Sequence, residues 1–412
     1  MAWTKEQHCA IVTRGSNIMV SAGAGSGKTA VLSERVLDYC MHGGDVRRVL
    51  VLTFTNAAAK EMKERIRTKL IANSLLDQAD YIDASYITTF DAYSLSLVKK
   101  YAYKLNLSFN LGIMDGVLIS LKRKEIVDNL FSELYEREDP KFLAYLLKYA
   151  KQDDKAVSDT IIKLCDKLSL VIDFDEFKNS YEDKYFNENK INQIISEYDK
   201  YCKEEVDDFF NELELLLDAS ALDEASVKLY DGLSEILNNI SSLKGYEEYY
   251  QFFNNLSFPR LSPKASANVK ELKEKCTESL KLLRTKLFSK YIFTSDMANE
   301  IFSTKDDSLF LLDLCDEVEK RLMEYKKSVM QFDYMDIAKF ALELVKKYDD
   351  VYKEIKNSYD EILVDEYQDT SDIQEEFLKT ISNNNLYMVG DIKQSIYRFR
   401  NANPYIFKEK YN

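Results

Sequence analysis

The sequence predicts an α/β fold in which a parallel sheet, covered by helices, is interrupted by a mostly helical insertion. Short apolar runs near residues 17–21, 48–54 and 85–89 are each followed by apolar residues at helical spacing. Strands that alternate with helices in this way form parallel sheets. From about residue 104 to 330 glycine becomes rare and the apolar residues keep a helical period, which predicts the insertion.

The alternation of strand and helix returns at about residue 331. A helical pattern covers 334–345, and two short apolar runs at 361–364 and 386–389 read as buried strands. We therefore expect a first α/β part, a helical insertion and a second α/β part, at residues 1–103, 104–330 and 331–412.

Apolar stripes within the insertion predict packed helices. One stripe consists of Val206, Phe209, Phe210, Leu213, Leu216 and Leu217, at spacings of three and four residues. The proline-containing segment 257–263 reads as a loop between helices. These stripes predict a hydrophobic core, and we assign no catalytic residue to this part of the chain.

Composition argues against several classes of protein. With 56 basic and 70 acidic residues the net charge is −14, which argues against coating nucleic acid through bulk charge. Six cysteines without ligand spacing and two histidines argue against a zinc site or a disulfide framework. No apolar run approaches 18 residues, so we expect no membrane span and a cytoplasmic location.

A glycine-rich loop follows the first predicted strand. Glycines allow the backbone N–H groups to curl around phosphate oxygens, and the helix that begins there adds its positive dipole end. Lys28 would reach the β- and γ-phosphates of ATP, and the Thr29 hydroxyl would ligate Mg²⁺. The alternative is a flexible turn, although G-K-T between a strand and a helix favours a phosphate site. The loop reads Ala22, Gly23, Ala24, Gly25, Ser26, Gly27, Lys28 and Thr29.

Two acidic residues end the strand at 361–364. Carboxylates at this end of a parallel strand lie where ligands bind. Asp365 would hold Mg²⁺ together with Thr29, and Glu366 would act as the general base toward water. A charged strand end exposed to solvent is the alternative, and the upstream loop is what favours catalysis.

The next strand is followed by Gly390-Asp391-Ile392-Lys393-Gln394, and Tyr397 and Phe399 then alternate with Arg398 and Arg400. Gln394 could sense hydrolysis by hydrogen bonding at the γ-phosphate. Interleaved aromatic and arginine side chains suit single-stranded nucleic acid, although a buried aromatic pair with paired arginines is equally consistent with the pattern.

Phe54, Thr55 and Asn56 end another strand and open a helix. Phosphate contacts by Thr55 and Asn56 at a helix N-terminus are physically reasonable, and helix capping by either residue explains them equally well.

Together these blocks resemble the motifs of UvrD/Rep-like superfamily 1 DNA helicases, and they are most similar to those of AddA-type subunits of bacterial helicase–nucleases. The resemblance implies a RecA-like domain 1A, a helical domain 1B at 104–330, and ATP and Mg²⁺ as cofactors. By the family pattern Gln7 reads adenine, residues 22–30 including Ala30 bind ATP, and Gln394 couples the γ-phosphate to DNA. The DNA-contacting residues implied by the resemblance are Phe54, Thr55, Asn56, Thr89, Tyr397 and Phe399, with Arg400 as a further motif residue.

Two departures from the family pattern stand out. Asp91 occupies a position where the family usually has histidine, and an acid there would repel phosphate. The chain ends at Asn412, shortly after the third motif, so the second motor domain and the nuclease domain of the family are expected to be missing from it. We therefore expect a weakly active or inactive fragment.

The resemblance implies 3′–5′ translocation on single-stranded DNA in recombinational repair, and its implied partner is a second helicase–nuclease subunit. A non-catalytic nucleotide-binding module that needs a partner chain is the first alternative. A P-loop ATPase of another class is the second, and the block from Gln394 to Arg400 argues against it.

Overall fold

The computed structural model describes residues 3–23, 25–150, 153–395 and 402–411, within which the chain forms two units. The first unit comprises the residues up to Phe174 together with those from Leu314 onward, and the second comprises 175–313. The strands are β1 Ile18–Ser21, β2 Val49–Thr53, β3 Tyr86–Thr89, β4 Gly112–Ile113, β5 Gln331–Phe332, β6 Glu361–Val364 and β7 Leu386–Gly390.

The helices among the described residues follow the periodic patterns of the sequence. In chain order they are α1 Lys5–Val12, α2 Lys28–Met41, α3 Asn56–Ala72, α4 Leu76–Tyr81, α5 Phe90–Lys100, α6 Gly116–Glu136, α7 Pro140–Tyr149, α8 Lys155–Leu168, α9 Phe174–Tyr185, α10 Glu188–Ala221, α11 Val227–Ser242, α12 Tyr246–Asn255, α13 Ala267–Lys286, α14 Thr294–Ser303, α15 Lys305–Val329, α16 Tyr334–Lys347, α17 Asp349–Ser358, α18 Asp372–Ile381 and α19 Pro404–Tyr411. None of them is long and apolar enough to cross a membrane.

A parallel sheet in the order β1-β7-β6-β2-β3 organises the first unit. Ser21 lies opposite Gly390, and Val364 lies opposite both Met388 and Leu52. The carboxyl ends of the strands therefore lie side by side at one edge of the sheet. The segments that follow β1, β7, β6, β2 and β3 are those in which the sequence places its candidate site residues.

Both faces of this sheet are buried, as expected for parallel strands. Alternate side chains of β2 divide between the faces: Leu50 and Leu52 pack into one core, and Val49 and Val51 into the other. The first core is completed by α5, α16 and α18, and the second by α2 and α3. The prediction of a parallel sheet with helices on both faces is confirmed.

The second unit is helical and packs around α10, which is 34 residues long. Val206, Phe209, Leu213 and Leu216 from the predicted stripe are buried, and Phe210 and Leu217 pack against the same core at its margin. The rings of Phe253 and Phe288 stack with their centroids 5.5 Å apart. The segment 257–263 falls between α12 and α13, so the predicted loop is also confirmed.

The second unit is shorter than the insertion predicted at 104–330, because α6, α7, α8 and the end of α15 belong to the first unit. Arg123 on α6 forms ion pairs with Asp166 on α8 and Glu319 on α15. Strands β4 and β5 pair in parallel, which joins the chain entering the insertion to the chain leaving it. The assignment of 104–330 as a single functional domain stays a prediction.

Candidate active site

The glycine-rich loop joins β1 to α2 with its backbone in a conformation that favours glycine. Gly25 and Gly27 have φ angles of 73° and 83°, in the left-handed region. Gly27 is the N-cap of α2, and no side chain among the described residues caps this helix. The N–H groups of its first turn therefore remain available to an anion, which is the geometry a phosphate site requires.

Gln7 lies against this loop, held by the capping box that Thr4 and Gln7 form at the start of α1. The Gln7 Nε2 donates a hydrogen bond to the carbonyl oxygen of Ser26 at 3.0 Å. A Cβ placed on Gly27 would lie 3.7 Å from the same nitrogen. The sequence resemblance singled out Gln7 for a nucleotide, and the structure brings it to the loop although 19 residues separate it from Ser26.

Lys28, Glu366 and Gln394 meet at the carboxyl edge of the sheet. The Lys28 Nζ lies 3.4 Å from the Gln394 Oε1 and 3.8 Å from the Glu366 Oε2. The Lys28 side chain is only 9% exposed, whereas that of Glu366 is 39% exposed. An amine, a carboxylate and a neutral amide thus converge beside an uncapped helix N-terminus.

Asp365 and Glu366 form a sharp turn after β6. The Asp365 N–H still donates to the Leu52 carbonyl oxygen at 2.9 Å, and Glu366 then adopts a φ of 51°. This left-handed conformation costs a non-glycine residue about 1–2 kcal/mol. Burial, and then the neighbouring Glu366 carboxylate, raise the pKa of Asp365 to about 6, while Lys28 acts against this shift.

The raised pKa predicts that Asp365 destabilises the protein at neutral pH when no cation is bound. Its ordinary pKa is 3.8. Its contribution to stability is therefore lost as pH rises through about 6, at a cost of up to about 3 kcal/mol. We expect Asp365→Asn, which retains the acceptor for the Glu366 N–H, to raise the melting temperature in EDTA at about pH 7.5 and to abolish Mg²⁺-induced stabilisation.

Asp391→Asn is the matched control of opposite sign. The hydrogen bond from the Gln394 amide lowers the pKa of Asp391, followed in effect by the Lys393 N–H, so ionised Asp391 is favoured by folding. This variant should lower the melting temperature at the same pH. A melting temperature for Asp365→Asn that stays below wild type under these conditions would contradict the assignment for Asp365.

Two further residues of this turn form contacts that we did not predict from the sequence. The Gln368 Nε2 donates to the Glu366 Oε2 at 2.8 Å, and the Gln368 Oε1 accepts from the Asp391 N–H at 2.9 Å. The Ser395 hydroxyl donates to the Asp369 Oδ1 at 3.2 Å. The turn after β6 and the turn after β7 are thereby joined. The only signal for this in the sequence is that both turns follow strands, and strand order cannot be read from it.

A groove of about 710 Å³ runs along the carboxyl ends of β2, β3 and β6 to Asp365 and Glu366. Phe54, Thr55, Asn56 and Thr89 line it. The Thr55 hydroxyl accepts from the Ala58 N–H and caps α3, and the Thr89 hydroxyl accepts from the Ala92 N–H and caps α5. The structural alternative of helix capping therefore applies to Thr55, and both residues also line the groove segment that the sequence assigns to DNA.

The remaining predicted residues divide into two groups. Thr29 and Ala30 lie half-buried in the first turn of α2, directly after Lys28. Ala24, Tyr397, Phe399 and Arg400 lie outside the described residues, and so does Arg398. Their proposed roles remain predictions from the sequence.

A parallel sheet with an uncapped glycine-rich loop and a carboxylate pair on a neighbouring strand defines a P-loop nucleotide-binding domain. The family model for the UvrD/REP helicase N-terminal domain matches residues 3–412, and the chain belongs to this family.

Relatives with curated names agree with this assignment. The chain is 33% identical to the AddA subunit of the ATP-dependent helicase/nuclease of Thermoanaerobacter sp. (strain X514), over 100% of this chain and 36% of that protein. It is 32% identical to the protein of the same name from Clostridium novyi (strain NT) and 30% identical to the one from Clostridioides difficile (strain 630), again over 100% of this chain and 36% of each relative. The chain thus spans about a third of the length of the curated relatives it matches.

Proposed function

We propose that the chain is the ATP-binding motor lobe of an ATP-dependent DNA helicase that resembles AddA-type subunits. The observation that carries the proposal is the convergence of Lys28 with Glu366 and Gln394, at 3.8 and 3.4 Å, beside the glycine-rich loop. An ammonium, a base and a neutral sensor are the groups that hydrolysis of a phosphoanhydride needs at one place.

Each residue has a proposed part in this reaction. The N–H groups of residues 25–30 and the Lys28 ammonium bind the phosphates, and Gln7 contacts the base. Thr29 and Asp365 hold Mg²⁺, which neutralises charge on the phosphates. Glu366 accepts the proton of the attacking water, and its partial exposure leaves room for that water. Gln394 hydrogen-bonds at the γ-phosphate.

The groove beside these carboxylates is the proposed track for single-stranded DNA. Phe54 offers a ring for base stacking, and Thr55, Asn56 and Thr89 offer polar groups to the backbone. Tyr397, Phe399 and Arg400 are proposed to extend the same track. Because the groove and Glu366 are contiguous, DNA in the groove would be able to influence hydrolysis.

The finer description of the biological role is also a proposal. It comprises 3′–5′ translocation, recombinational DNA repair in the cytoplasm, and association with a second helicase–nuclease subunit. The named relatives and the family support this description. Residues 1–103 with 331–412 would form domain 1A, and 104–330 domain 1B.

The proposal predicts the behaviour of Glu366→Gln in an ATP turnover assay with and without single-stranded DNA. Loss of the general base should lower turnover by roughly 100-fold or more. ATP affinity should remain within a factor of about three, since the amide keeps the size of the carboxylate. Glu204→Gln, an exposed residue of the second unit, is the matched control and should behave as wild type.

Two outcomes would change the assignment. Turnover that survives in Glu366→Gln would remove Glu366 as the base. ATP binding by wild type without turnover in any condition would favour the nucleotide-binding module, whereas turnover that ignores DNA would favour a P-loop ATPase of another class.

A further inference from the structure

Gln368 is a buried amide at the centre of the candidate active site, only 1% exposed to solvent. Both functions of its side chain are in use. The Nε2 donates to the Glu366 Oε2 at 2.8 Å and to the Asp369 Oδ2 at 3.2 Å, and the Oε1 accepts from the Asp391 N–H at 2.9 Å. Since an amide carries one acceptor and one donor group, its orientation follows from these partners.

These contacts close a ring of polar interactions around the site. Asp391 accepts through its Oδ2 from the Gln394 Nε2 at 2.7 Å. Gln394 accepts from the Lys28 Nζ at 3.4 Å, and Lys28 returns to Glu366 at 3.8 Å. The ring therefore connects the turn after β6 to the turn after β7 and to the start of α2.

The packing around Gln368 leaves its amide little freedom. A Cβ placed on Gly390 would lie 2.3 Å from the Gln368 Oε1 and 3.1 Å from the Gln368 backbone nitrogen. Glycine at the end of β7 is thus what allows the amide to reach the Asp391 N–H. The Ser395 hydroxyl lies 3.4 Å from the Gln368 carbonyl oxygen, which adds a second tie between the two turns.

We propose that Gln368 is a positioning residue that orients the Glu366 carboxylate and couples it to the turn carrying Gln394. This inference rests on the proposed function, in which Glu366 is the general base and Gln394 meets the γ-phosphate. Gln368 acts through Glu366 and touches no substrate. A movement of Gln394 caused by hydrolysis is transmitted through Asp391 and Gln368 to the base.

Two substitutions separate the two arms of the amide. Gln368→Glu keeps an acceptor for the Asp391 N–H but replaces the donor to Glu366 with a like charge. We expect kcat to fall roughly 10-fold or more with KM for ATP within about twofold. The added carboxylate disfavours ionised Glu366, so the acid limb of the pH–kcat profile should move to higher pH. Gln368→Met removes both arms.

Hydrogen exchange tests the second arm without any need for turnover. In Gln368→Met the Asp391 amide loses its acceptor, and exchange in the 386–395 segment should become faster, while Gln368→Glu should retain near wild-type protection there. Gln78→Glu is the matched control, because the Gln78 Oε1 accepts from the Val46 N–H at 2.8 Å and a carboxylate can do the same. It should change neither kinetics nor exchange at 386–395.

The outcomes distinguish this inference from the function on which it rests. Turnover that persists in Glu366→Gln overturns the proposed base. Loss of turnover in Glu366→Gln, together with a wild-type kcat and pH profile in Gln368→Glu, overturns the positioning role. Unchanged exchange at 386–395 in folded Gln368→Met overturns the coupling to Asp391.

Discussion

Replacing Lys28 with methionine should abolish detectable binding of Mg·ATP to this chain. Methionine keeps much of the aliphatic stem and removes only the ammonium that lies 3.4 Å from Gln394 and 3.8 Å from Glu366. Hydrogen bonds to charged groups contribute about 1.5–3 kcal/mol each, so the loss of two phosphate contacts weakens affinity roughly 100-fold or more. Calorimetric titration with ATP and Mg²⁺ measures this directly.

The control for this experiment is Lys353→Met on α17. Lys353 is exposed and pairs with Asp349 one helical turn away. Its replacement should leave ATP affinity and the melting temperature unchanged. If Lys28→Met binds Mg·ATP with wild-type affinity, the glycine-rich loop does not bind phosphate as proposed.

Local pattern was sufficient to predict the elements on which Lys28 and Glu366 stand. The runs at 361–364 and 386–389 became strands at nearly the predicted bounds, because short β-branched and aliphatic runs bury both faces of a parallel strand. The glycine-rich loop was found for the same reason, since its residues and flanking elements are adjacent in sequence. Helix α6 instead became part of the first unit, because its partners on α15 lie nearly 200 residues further along the chain.

The contacts that depend on strand order could not be predicted. Gln368 reaches Asp391 because β6 and β7 are neighbours in the sheet, and nothing in the order of residues states this. The left-handed conformation of Glu366 likewise follows from the turn that aims it at Lys28. Functional side chains were therefore easier to find than the side chains that hold them in place.

The same limit applies to a buried ion network at the opposite end of β6. Glu361 begins the strand and is 4% exposed, and Arg35 of α2 is 3% exposed. The Arg35 Nε and Nη2 donate to the two Glu361 carboxylate oxygens at 2.8 and 3.2 Å. Arg14 adds an ion pair to Glu361 at 2.6 Å. Burial lowers the pKa of Arg35, and Glu361 acts against this shift, so the carboxylate is what keeps the buried guanidinium favourable.

Glu361→Gln should therefore destabilise the protein by about 3–5 kcal/mol, the cost of leaving a buried charge without its partner. Chemical denaturation measures the change. The double variant Arg35→Met with Glu361→Leu should lose less stability than the single variant, because no charge remains buried there. Asp349→Asn, which breaks an exposed pair, is the control and should leave the denaturation midpoint unchanged.

The effect of Glu361→Gln should also reach the active site, because α2 and β6 are joined at both ends. Helix α2 begins with Lys28 and carries Arg35 two turns later, and β6 begins with Glu361 and leads to Asp365 and Glu366. If the network holds these two elements in register, ATP affinity in the folded variant should fall although neither residue touches the loop. A folded Glu361→Gln protein with unchanged midpoint and unchanged ATP affinity would show that the packing of α2 on the sheet suffices without the ion pair.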